Sequence, residues 1–140
     1  IDEALIQKCI SFKSFDYRLL NLALYRLRRT AYNEKHLQFL RAHELLIEIA
    51  DDLFDYEDDV MKHSFNVYRM YLKLHPNDAN TACLKLTQFI SDTEALYKLR
   101  QKQLDESLVK LHETRNKSAW KGIVESDNWI IPSAIMDEES

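Results

Sequence analysis

Six acids fall within nine residues in the run Asp51-Asp52-Leu53-Phe54-Asp55-Tyr56-Glu57-Asp58-Asp59. On a helix, Asp51 and Asp55 are four apart and share a face, and Asp58 continues that line. Asp52 sits one step round, above Asp55 and below Glu48. Asp51, Asp52 and Asp55 are therefore candidate ligands for a shared hard cation, with Glu48, Asp58 and Asp59 as supporting or solvent-facing acids. Mg²⁺ takes oxygen ligands and keeps several waters. It is usually held by one or two carboxylates together with substrate phosphates. A DDxxD helix edge offers that incomplete coordination. Ions held there would attract a diphosphate and act as a Lewis-acid clamp as it departs. Without compensation the run is unfavourable. Asp is a poor interior helix former, negative charge near a helix C-terminus opposes the macrodipole, and like charges four apart repel. The competing reading is a solvated acidic helix end with no ligand. An EF-hand is a poor fit, because its loop needs a glycine that this segment lacks.

Other residue types carry weaker chemistry. Arg26, Arg28 and Arg29 close a helix pattern and are candidate diphosphate-binding cations; three basic residues at a helix end also suit the macrodipole as a plain surface feature. Phe54 and Tyr56 flank the acids and are candidate walls of an apolar cavity, and the same aromatics would also serve as core. The five histidines, His36, His43, His63, His75 and His112, match no standard zinc spacing and read as surface or boundary residues. Ser64 beside His63 has no glycine with which to build a nucleophile elbow, so a hydrolase is set aside.

The elements that must position these residues are helices. Among 140 residues there are one glycine, Gly122, and two prolines, Pro76 and Pro132. Phosphate loops and dinucleotide-binding turns need glycine for close backbone approach, and their absence points to an all-α chain. A short helix is expected from Asp2 to Ile10, followed by a break at Ser11 to Ser14. Ser14 or Asp16 is expected to cap a helix to about Arg29, and Asn33 a long helix to about Glu57, roughly 36 Å at 1.5 Å per residue. Ser64 or Asn66 starts a further helix that ends at Pro76. Asn77 or Asp78 caps a last helix to about Thr114, bending near Arg100 to Glu106. The result is an antiparallel bundle of about five helices. From Asn116 the apolar residues lose periodicity. An irregular tail is expected to fold back over the bundle, pinned by Trp120 and Trp129 and ending in the exposed acids Asp137, Glu138 and Glu139.

Size and composition frame one helical domain, with a core over 1–115 and a tail over 116–140. With 46% apolar and 30% charged residues the composition is that of an ordinary globular protein, and a net charge of −4 argues against a nucleic-acid partner. No apolar run reaches the roughly 18 residues of a membrane span. Cys9 and Cys83 form no CxxC and read as reduced thiols, which places the chain inside the cell, in the cytoplasm or an organelle. The pattern is already amphipathic at Ile1 and no initiator Met is present, so the chain reads as part of a longer polypeptide.

The stretch Leu46-Ile47-Glu48-Ile49-Ala50-Asp51-Asp52-Leu53-Phe54-Asp55-Tyr56 resembles the second aspartate-rich motif of trans-prenyltransferases. The segment from Phe15-Asp16-Tyr17-Arg18 through Asp59-Val60 and Phe65-Asn66-Val67, with Trp129-Ile130-Ile131-Pro132, is similar to plant proteins of the terpenoid-synthase-like superfamily. The resemblance implies an isoprenoid-synthase fold around a cavity, in which Asp51, Asp52 and Asp55 bind Mg²⁺ and a prenyl diphosphate. The chain departs from the family pattern. It has no second DDxxD, no NSE-type motif, since Leu84 stands where its Glu would fall, and no Gly-Lys or Lys-Thr diphosphate element. Two functions follow as expectations. One is an isoprenoid-synthase-like protein, active or degenerate. The other is a non-catalytic helical interaction module whose acidic edge docks a basic protein, with a homodimer as a further assembly.

Overall fold

The computed structural model describes residues 1–119 and 129–138, which form seven α-helices and no strand. They are α1 (Glu3–Lys13), α2 (Asp16–Leu27), α3 (Glu34–Phe54), α4 (Tyr56–Met61), α5 (Val67–Leu74), α6 (Ala79–Gln101) and α7 (Glu106–Ala119). The all-α bundle expected from the sequence is observed. Trp120 and Glu139 lie outside the described residues.

Local chemistry sets most of the starts. The side chain of Asp2 accepts from the Leu5 amide, Asn33 from His36, Asn66 from Tyr68 and Arg69, and Asp78 from Thr81. Each satisfies an amide that has no partner inside the helix. Two stops use a left-handed residue that is not glycine. Arg29 (φ 54°) follows α2 and His63 (φ 53°) follows α4. Thr30 donates back to the Tyr25 carbonyl and Ser64 to that of Asp59, the paired bonding of a Schellman closure.

The two long expected helices each divide. The helix anticipated through Glu57 stops at Phe54. Asp55 takes a near-bridge conformation (φ −89°, ψ 10°), and the chain restarts as α4. The break re-aims Tyr56 and Val60 into the core, where they are 1% and 5% exposed. The expected bend between Arg100 and Glu106 is a full interruption between α6 and α7.

α3 and α6 form the centre. Phe39 in the first part of α3 meets Tyr97 in the last part of α6, the antiparallel arrangement. α5 packs on α6, α1 packs on α5 and α3, and α2 lies on α3. Ile6, Ile10, Ile49, Leu53, Tyr56, Val67, Tyr71, Leu86 and Ile90 make one continuous core. The segment 129–138 lacks helix and folds back over this core as expected. The Trp129 indole donates to Glu94 (2.8 Å) and the Ile135 amide to the Tyr56 hydroxyl (2.9 Å). Glu138, expected as an exposed acid, instead forms a bidentate pair with the buried Arg69 (2.8 and 2.7 Å) and a second contact with Lys73. The Arg69 guanidinium holds its carboxyl down at about 2.

Candidate functional site

The acids of α3 lie on two lines about 100° apart, because adjacent residues differ by one helical step. The first line is Glu44, Glu48 and Asp52, spaced four apart and turned toward α1, α2 and α5. Glu44 is 3% exposed and accepts from the Arg18 amide (2.6 Å) and from the Arg18 guanidinium. It thereby caps α2, whose own N-cap residue, Phe15, makes no side-chain cap. Glu48 pairs with Lys13 at 2.9 Å. Asp52 is 1% exposed; one carboxylate oxygen accepts from Lys13 (2.5 Å) and the other from the Val67 amide, the first of α5 (2.6 Å).

Asp52 is thus a cap supplied to one helix by another. Burial raises its pKa, opposed by the Lys13 and Val67 hydrogen bonds. Burial also pulls the Lys13 ammonium down, but its bonds to Asp52 and Glu48 outweigh this and hold it above its ordinary value. Asp59 is likewise committed. It accepts from Ser64 Oγ (2.6 Å) and from the Asn66 side chain (3.0 Å), which also donates to the Asp52 carbonyl. Burial opposes ionisation of Asp59, and these two hydrogen bonds overcome it and lower its pKa.

The second line faces solvent. Asp51, Asp55, Glu57 and Asp58 are exposed. Phe54 stands among them at 86% exposure, and Met61 follows at 71%. Partial burial raises the Asp51 carboxyl, with further upward pressure from the charges of Asp55 and Glu48. Among the described residues Asp58 pairs only with Lys62, at 3.7 Å. Of the two aromatics expected to line a cavity, Phe54 projects outward and Tyr56 is packed in the core.

The three candidate metal ligands therefore do not share one point. Asp52 has both oxygens engaged inside the bundle, whereas Asp51 and Asp55 look outward. Among the described residues no group of three or more His, Cys, Asp or Glu side chains is placed to hold a metal ion. The donor set as folded does not fit Mg²⁺ held by Asp51, Asp52 and Asp55 together.

The candidate diphosphate-binding arginines are elsewhere. The Tyr25 hydroxyl bonds His36 Nδ1 (2.9 Å), which ties the end of α2 to the start of α3. His36 precedes Asp51 by ~22 Å along α3. Arg26 and Arg29 line a shallow hollow of about 690 Å³ beside Tyr32, and Arg28 lines a different cleft.

Sequence reasoning missed the histidines. His36, His43 and His112 are 4%, 7% and 2% exposed, buried rather than at the surface. The Nε2 atoms of His36 and His112 are 2.9 Å apart, within one hydrogen bond, in an aromatic nest with Phe39 and Tyr97. The only available signal was the seven-residue spacing of His36 and His43, which places both on one face of α3. Lys13 was also missed, and a single lysine in a last helical turn gives no sign of a partner 39 residues away. Comparison with family models, curated proteins and solved structures returns no match to this chain.

Proposed function

We propose that the chain is a non-catalytic helical interaction module that docks a basic protein segment on the acidic edge at the end of α3. One observation carries this reading: Phe54 is 86% exposed and is flanked in the chain by the exposed acids Asp51, Asp55, Glu57 and Asp58. An aromatic side chain left in water forfeits roughly 1.5–3 kcal/mol of burial. Single aromatic anchors within a polar rim are where interfaces concentrate their energy. The surrounding carboxylates select a cationic partner and speed its encounter. The inward acids, already neutralised by Lys13 and Arg18, hold the edge in place.

The test is calorimetric titration with a helical peptide of alternating leucine and lysine faces. Binding should weaken about tenfold in Phe54→Ala, the effect of losing roughly 1.4 kcal/mol. Asp51→Asn/Asp55→Asn should weaken it and flatten its salt dependence. Equal affinity for wild type and Phe54→Ala, with both melting alike, removes the reading.

An isoprenoid-synthase-like site for Mg²⁺ and a prenyl diphosphate is the second reading. Its support is the Asp51 carboxyl, raised first by partial burial and then by the charges of Asp55 and Glu48, the last two of which a cation would relieve. It requires Lys13 to release Asp52. Mg²⁺ with inorganic diphosphate should then raise the melting temperature of wild type and leave Asp51→Asn/Asp55→Asn unchanged. An unmoved wild type discards it.

A further inference from the structure

The face that α2 turns to solvent has the pattern of a core. Leu20, Ala23, Leu24 and Leu27 fall at i, i+3, i+4 and i+7, one stripe of a helix, with Leu19 at its margin. All five are exposed, Leu20 at 61% and Leu27 at 78%. The other side of α2 is the one held to the bundle, by the Arg18–Glu44 pair and the Tyr25–His36 hydrogen bond, and Asn21 is its one buried residue. The stripe is independent of the acidic edge at the end of α3, because α2 meets α3 between His36 and Glu44.

Apolar residues at this spacing are what one helix presents to another. The charges at the two ends of the stripe say which helix. Asp16 lies in the first turn, four residues before Leu20 on the same line, and Arg26 flanks Leu27 in the last turn. Both are exposed, and among the described residues neither forms an ion pair. A second α2 laid antiparallel brings each Asp16 to the other copy's Arg26 and sets the two helix dipoles in opposition, which is the favourable sense. A parallel pair sets Asp16 against Asp16 and Arg26 against Arg26. Ala23, small and within the stripe, lets the two backbones approach. We propose that the chain forms a two-fold dimer through antiparallel α2 helices, its seam made by Leu20, Ala23, Leu24 and Leu27 and its ends by Asp16 and Arg26. Such an interface is isologous and closes at two copies, the commonest oligomeric symmetry. A stable specific interface takes roughly 800 Å² from each partner, and a stripe ~18 Å long offers less, so the association belongs to the weak, micromolar class.

The experiment is sedimentation equilibrium of the full chain from about 1 µM to about 1 mM. The mass should rise from monomer to dimer and no further. Leu20→Glu/Leu27→Glu replaces two exposed side chains. It should weaken dimerisation at least about tenfold and leave the melting temperature of dilute protein unchanged. Arg26→Asp should weaken it as well, and Asp16→Arg/Arg26→Asp should recover most of the loss, because the exchanged charges meet again only in the antiparallel pair. Circular dichroism reads the helix content of each variant. A chain that stays monomeric throughout overturns the proposal, and flotation of that monomer with vesicles of phosphatidylcholine and phosphatidylglycerol would give the face to a lipid surface instead. A dimer unmoved by Leu20→Glu/Leu27→Glu overturns it too. So does a charge exchange that keeps the helix content and fails to restore the dimer.

Discussion

Asp51 and Asp52 are adjacent in the chain, and a step of about 100° on α3 gives them different work. Asp52 caps α5 and neutralises Lys13 from inside the bundle, whereas Asp51 stands at the surface among like charges. Alanine substitution should separate the two. Asp52→Ala leaves the Val67 amide buried without its acceptor and should cost about 1–3 kcal/mol in urea denaturation. Asp51→Ala removes a repelled surface charge and should change stability by less than about 0.5 kcal/mol. Comparable losses for the two would mean that they do not differ as the structure has them. The same contrast accounts for part of the acidic run. Asp52 and Asp59 serve the fold directly, and only the outward acids remain to be explained by a partner.

At the scale of the element, α2 is the least settled helix. Asn21 is its one buried residue, while Leu19, Leu20, Leu24 and Leu27 are 57%, 61%, 42% and 78% exposed. Its polar and aromatic face, with Arg18, Asn21 and Tyr25, turns toward α3, opposite to the usual amphipathic arrangement. The helix is held by the Glu44 cap and the Tyr25–His36 bond more than by apolar packing. Its closure also carries a conformational cost, because Arg29 occupies the left-handed region. Arg29→Gly should relieve this and stabilise the chain by about 0.5–1 kcal/mol, read as an increased urea midpoint. A lowered midpoint would show that the Arg29 side chain contributes more than its backbone costs.

Across the whole molecule, burial of histidine couples stability to pH. Burial first, and then the charges of His36, His43 and Arg115, lower His112 to about 4 from an ordinary value of 6.5. His36 is lowered as well, by burial and by Arg115. Between pH 6.5 and 4 the unfolded chain therefore takes up protons that the folded chain refuses. Stability should fall as pH drops through that window and stop falling on this account below about 4. The helix most exposed to the change is α7, because His112 joins it to α3. Urea midpoints at pH 7, 6, 5 and 4 should decline more steeply for wild type than for His112→Gln. Parallel profiles would remove the histidine pair as the cause.

The sequence by itself determined the helical class and the cap at Asn33, and narrowed two further caps to Ser64 or Asn66 and to Asn77 or Asp78; between Arg100 and Glu106 it indicated a bend where the structure has a full break. It also determined the return of the tail, which its aperiodic apolar residues foretold. These are local matters: a cap reaches its amide within three residues, a scarcity of glycine disfavours the tight turns of other fold classes, and apolar residues without period must find cover outside a helix. Only the tertiary structure decided which acids are structural. Lys13 lies 39 residues from Asp52, and the Val67 amide lies 15 away. The same is true of the buried histidines, since His36 meets His112 across 76 residues. A one-step rotation about α3 exchanges core for water, and what waits on either side is set by helices distant in the chain. Periodicity could place Asp51, Asp52 and Asp55 near one another, but it could not say that a lysine and a helix start had already claimed the middle one.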